Sequence, residues 1–115
     1  MTIEDVFDLA VIAQTREALG AARLGTVLEV MAQTSREEAD LVTYHVAVGE
    51  FDEARRIAHG IAGGALSIGA ARLGKAAREI EFSVKPTAAH AAALVSAVEE
   101  TLATIPKIAR GLGSG

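Results

Sequence analysis

Apolar residues recur along this chain at three- and four-residue steps, the spacing that lines one face of an α-helix. Residues 2–19 carry Val6, Phe7, Ala10, Val11 and Ala13 on one broad stripe. Thr2 is placed to cap this helix, Glu4 and Asp5 suit the positive end of its dipole, and Gly20 is placed to end it. Residues 21–48 continue the spacing with Leu24, Val27, Leu28, Met31, Ala39, Val42 and Val46. Their middle, 33–38, is polar all round, and Ser35 with Glu38 is spaced as a capping box. One helix or two are open on that pattern; one helix, bent or straight, is favoured, with Gly49 as its end.

A third helix is expected from a cap at Asp52 to about Ile68, where Gly69 breaks it. A fourth spans 70–84, with Leu73, Ala76, Ala77 and Ile80 inward. Lys85-Pro86 then punctuates the chain. Thr87 caps a last helix over 88–110, which carries Leu94, Val95, Val98, Leu102 and Ile105. Pro106 is expected to kink or fray its end, and residues 111–115 to form a flexible tail. No strand alternation and no internal repeat is present. Long amphipathic helices joined by short links predict an all-α, up-down antiparallel four-helix bundle with the first helix as a shorter cover. Residues 1–110 form the single domain.

Composition agrees with helices packed through small side chains. Of 115 residues, 50% are hydrophobic but only 3% aromatic. With no cysteine, disulfides and thiolate metal sites are excluded. No apolar run reaches the length of a membrane span, and the acidic start MTIEDVFDLA lacks the basic opening of a signal peptide. The expected location is the cytoplasm, away from membranes. A net charge of −4 without a basic block argues against nucleic acid as a partner.

The candidate chemistry sits on the third helix. On a 100° wheel, Ala54, Ile57, Ala58, Ile61, Gly64, Ala65 and Ile68 form the core seam. His59 falls opposite, beside Asp52, Arg55, Arg56, Ala62, Gly63 and Leu66. The imidazole is therefore expected near solvent. Arg55 and Arg56, one turn before it, would favour the neutral, nucleophilic ring and attract an incoming phosphoryl group. Ala62 and Gly63 leave room for a partner to come close, and Leu66 adds an apolar contact. Gly60, Gly63 and Gly64 each cost about 1 kcal/mol of helix propensity against alanine; such a cost repeated around one titratable side chain marks a working site, and close packing against a neighbouring helix is the competing structural reason.

The run Ala58-His59-Gly60-Ile61-Ala62-Gly63-Gly64-Ala65-Leu66-Ser67-Ile68-Gly69 resembles the signature of the histidine-containing phosphotransfer (HPt) domain. That signature has Ala-His, an aliphatic residue, a lysine, glycine and small residues, then an aliphatic and glycine. Ala70, Arg72 and Leu73, and the ending Ala77-Arg78-Glu79-Ile80-Glu81, also look like the family. The resemblance implies that His59 accepts a phosphoryl group from a receiver-domain aspartate and passes it to another receiver. It implies receiver domains, and a hybrid histidine kinase, as partners. Mg²⁺ is expected on the receiver and no cofactor on this chain, which is expected to be a monomer. No ATP-binding motif is present, so self-phosphorylation from ATP is not expected.

One position departs from the family: its lysine, three residues after the histidine, is Ala62 here. Arg55, Arg56, Lys75 and Arg78 are the cations that could compensate. The departure keeps a second class of function open, a non-catalytic docking module that binds and regulates a receiver or kinase. Neither His45, expected at a core edge, nor His90, expected in solvent, has the spacing of a metal site. No hydrolase nucleophile elbow or dinucleotide loop is present.

Overall fold

The computed structural model describes residues 2–113, and six helices run through them: α1 (Ile3–Val6), α2 (Leu9–Leu19), α3 (Ala21–Ala47), α4 (Phe51–Ser67), α5 (Ala71–Glu81) and α6 (Ala88–Gly113). Helix α3 packs against α4 and α6, and α5 packs against the same two, so α3 to α6 close a ring. Helix α1 touches α5 and α6, and α2 lies along α3. Leu24, Leu28, Val42, Leu73, Ile80, Leu94 and Val98 fill the centre with almost no exposure. Ala32, Ala39, Ala54, Ala58 and Ala77 let the helices approach each other between them.

The three glycines read as helix ends do end helices. Gly20, Gly49 and Gly69 have φ of 85°, 78° and 90°, a region that costs any residue with a Cβ. Helix α3 is single and continuous across its polar middle. Its Ser35 is buried, not a cap, with its hydroxyl 3.7 Å from Met31 Sδ. The Thr87 cap is present: its Oγ1 accepts from the His90 amide at 3.2 Å.

Several boundaries differ from expectation. The first helix is two, because the Asp8 carboxylate accepts from the amides of Ala10 and Val11 and starts α2 afresh. The break turns Phe7 into the core and joins the Asp8 amide to the Gly69 carbonyl at 2.8 Å. Helix α4 begins at Phe51 with Glu50 as its N-cap, two residues earlier than a cap at Asp52 would give. Asp52 instead pairs with Arg55 inside the first turn. Helix α5 stops at Glu81, where Phe82 and the loop to the buried Pro86 take over. Helix α6 continues through Pro106 to Gly113 and does not end at Arg110. Burial of Ile105 and Ile108 holds the helix on both sides of the proline. Of the expected tail, 114 and 115 lie outside the described residues.

Candidate functional site

His59 stands on α4 with 68% of its side chain exposed. It leans across to α5, where its Nδ1 meets Oε2 of Glu81, 22 residues later in the chain. The other carboxylate oxygen of Glu81 accepts from Nη1 of Arg78, one turn earlier on the same helix. His59, Glu81 and Arg78 thus form one line across the α4–α5 seam. Ala77 and Ile80 set that geometry, because burying them puts the residue after each on the edge facing α4.

The line fixes the chemistry of the ring. The Arg78 hydrogen bond, assisted by that of His59, holds the Glu81 carboxyl below its ordinary 4.5 against the opposing effect of partial burial. An ionised carboxylate can only accept, so Nδ1 of His59 donates. A neutral ring so held carries its lone pair on Nε2. Ring geometry directs that nitrogen away from Glu81.

Asp5 and Glu53 are also held below their ordinary values, by the Thr2 amide and hydroxyl and by Arg56 respectively. Groups depressed in the folded chain stabilise it fully above their unfolded values and lose that contribution as pH falls through the folded ones. Thermal melting should therefore drop as pH falls below about 4.5. Glu81→Gln should flatten part of that slope, and an unchanged slope would mean that the Arg78–Glu81–His59 line is absent in solution.

The two arginines expected to act on the ring are engaged elsewhere. Arg55 pairs with Asp52 and donates to the carbonyls of Ser83 and Val84. Arg56 pairs with Glu53. The charged group in contact with the ring is a carboxylate, and the cation nearest to it through that carboxylate is Arg78. Lys75 lines a groove between α5 and α6 with Arg72, Glu79 and Glu100.

The expected contact surface also needs one correction. Ala62 is fully buried, so it cannot touch a partner. Helix α4 packs against both α3 and α5, and the buried arc is therefore wider and turned further toward α5 than a single-seam wheel gives. The same turn leaves Gly64, expected in the seam, exposed. Gly63 is exposed as expected, and Leu66 is 40% exposed. Leu66 leans onto α5, where a Cβ on Gly74 would collide with its Cδ2. A Cβ built on Gly60, Gly63 or Gly64 meets nothing within 4 Å. These three glycines therefore do not serve packing within the chain.

The other histidines have local tasks. His45 sits at the core edge with Nδ1 3.1 Å from Glu50 and its ring edge-on to Tyr44. His90 is half-buried, not solvated, and its Nδ1 accepts from the Thr87 amide at 3.0 Å, closing the cap of α6. Among the described residues, no group of three or more His, Asp or Glu side chains is placed to hold a metal.

Sequence inspection missed the pairing of Glu81 with His59. The one local trace was the Arg78/Glu81 spacing, which marks an intrahelical ion pair but says nothing of α4. Comparison with known families gives one match: the family model described as Hpt domain covers residues 26–107, from inside α3 to inside α6 and well over half of the chain. No curated protein and no solved structure matches.

Proposed function

The chain belongs to the Hpt domain family, and from that premise we propose that it relays phosphoryl groups between receiver domains through His59. Involvement in two-component phosphorelay follows from the family; the donor, the acceptor and the residue roles are our reading. The observation that carries it is the Glu81–His59 contact, which secures Nδ1 and leaves Nε2 on the open side of an exposed ring.

In the forward step the Nε2 lone pair attacks the phosphorus of an aspartyl phosphate. The N–P bond forms as the acyl O–P bond breaks, and that bond's electron pair leaves on the receiver's carboxylate. The ring gains positive character while keeping its Nδ1 proton, and the Glu81 carboxylate offsets the charge. The return step reverses these bonds with a second receiver. Mg²⁺ belongs to the receiver's acidic pocket in this reading. Arg78, reaching the site through Glu81, is the chain's nearest substitute for the family lysine replaced by Ala62. Arg55 and Arg56, with other partners, are not assigned that role. Gly63 and Leu66 border the ring on its C-terminal side and contribute to docking.

The reading takes α3 to α6 as an up-down bundle, supported by their ring of contacts and by the short links at 48–50 and 68–70. It places the chain in the cytoplasm as a monomer.

The test is transfer from receiver domains labelled with acetyl phosphate. The wild type should take up acid-labile, base-stable phosphate. Glu81→Ala should slow uptake roughly 10- to 100-fold, the loss that follows removal of the hydrogen-bond partner of a metal-bound imidazole. Receiver binding with no uptake would instead establish the docking module.

A further inference from the structure

Phe82 and Val84 stand out on this surface. They are 76% and 83% exposed, in a protein whose Phe7 is only 1% exposed. Both lie in the link from α5 to α6, and the link is firmly held. Arg55 donates to the carbonyls of Ser83 and Val84. The Ser83 hydroxyl donates to the Glu79 carbonyl at 2.6 Å, and the Phe82 amide to that of Arg78 at 3.0 Å. Pro86 is buried on the far side. Two large apolar side chains are thus displayed on fixed backbone, which lowers the ordering cost of covering them.

Their position is tied to His59 from two directions. Phe82 follows Glu81, and the guanidinium of Arg78 lies 5.8 Å from its ring centroid while also holding Glu81. Val84 is fastened to Arg55, one turn before His59 on α4. Any protein delivering a phosphoryl group to Nε2 covers the ground around it. A standard interface buries about 800 Å² per partner, roughly 15 Å in radius if flat. Neighbouring helix axes are only about 8–10 Å apart. A footprint centred on His59 therefore reaches α5 and the start of its link.

We propose that Phe82 and Val84, held by Arg55, are a docking contact for the receiver domain, which sets an apolar patch of its own over them. The proposal rests on the phosphorelay reading above and adds a surface to it. Covering Phe82 also excludes water from the Arg78–Glu81 pair, so docking and the positioning of His59 are coupled through one guanidinium.

The experiment compares two phosphoryl donors on the wild type, Val84→Ser, and Phe82→Ser with Val84→Ser. Phosphoramidate, a small donor, reports the reactivity of His59 alone. Acetyl-phosphate-labelled receivers report docking as well. The ratio of receiver-driven to phosphoramidate-driven kcat/KM should fall about tenfold in the double variant, as for loss of an apolar hot spot, with a smaller fall for Val84→Ser. An unchanged ratio, with receivers still serving the wild type, overturns this proposal alone. Wild type labelled by phosphoramidate but by no receiver overturns the relay reading and this surface together. A wild-type dimer that the double variant breaks without loss of transfer assigns the patch to a second copy of the chain, and also overturns it.

Discussion

His59→Gln is expected to give a folded chain that takes up no phosphate from a receiver or from phosphoramidate. The wild-type ring is 68% exposed and contributes nothing to the core, so stability should change by no more than about 0.5 kcal/mol. Glutamine can still offer an amide N–H to Glu81, but an amide nitrogen has no free lone pair with which to attack phosphorus. The loss should be complete, because neither remaining histidine offers an equivalent nitrogen. His45 makes a like Nδ1 contact with Glu50, but its ring is only 19% exposed against 68% for His59, and the Nδ1 lone pair of His90 is occupied by the cap of α6. Intact-mass measurement and acid-labile label on the two proteins decide the matter. Phosphate retained by the variant would move the acceptor to another residue and remove the reason for reading α4 as the site.

How much of this was legible beforehand depended on how local each cause is. Gly20, Gly49 and Gly69 mark helix ends because a single backbone conformation, readable from one residue, decides them. The Thr87 cap is equally local. The break at Asp8 is local too, yet a continuous apolar stripe across Val6, Phe7, Ala10 and Val11 concealed it. Those residues suit one helix as well as two, and the stripe gives no weight to the Asp8 cap on Ala10 and Val11 or to the contact of Asp8 with Gly69. Exposure of His59 followed from the wheel, since it lies far from the seam. Burial of Ala62 did not, because it sits at the seam's edge and the second neighbour, α5, decides it. The Glu81 contact spans two helices and depends on their relative rotation, which no periodicity encodes. The arginines illustrate the same limit. Adjacency on a helix placed them near the ring, but Asp52, Glu53 and the Ser83 and Val84 carbonyls determine where they point.

Replacing Gly60, Gly63 and Gly64 together by alanine should stabilise the protein and impair its exchange with receivers. All three are helical and exposed, and an added Cβ at each meets nothing within 4 Å. Alanine should therefore recover about 0.8–1 kcal/mol of helix propensity per site, or roughly 2–3 kcal/mol in all. For a chain of this length that raises the melting temperature by about 10 °C. A stabilisation so easily reached, yet forgone three times within five residues, points to a requirement outside the folded chain itself. The requirement consistent with the geometry is clearance, since Gly63 lies one turn after His59 on its outer face and the other two extend that low surface toward α3. Three methyl groups there lift an approaching receiver away from Nε2, and in-line transfer tolerates little displacement. Receiver-driven kcat/KM should fall by an order of magnitude or more while phosphoramidate labelling persists. If the melting temperature rises and transfer from receivers is undiminished, the glycines are not keeping the surface low for a partner, and the docking face lies on another side of the ring.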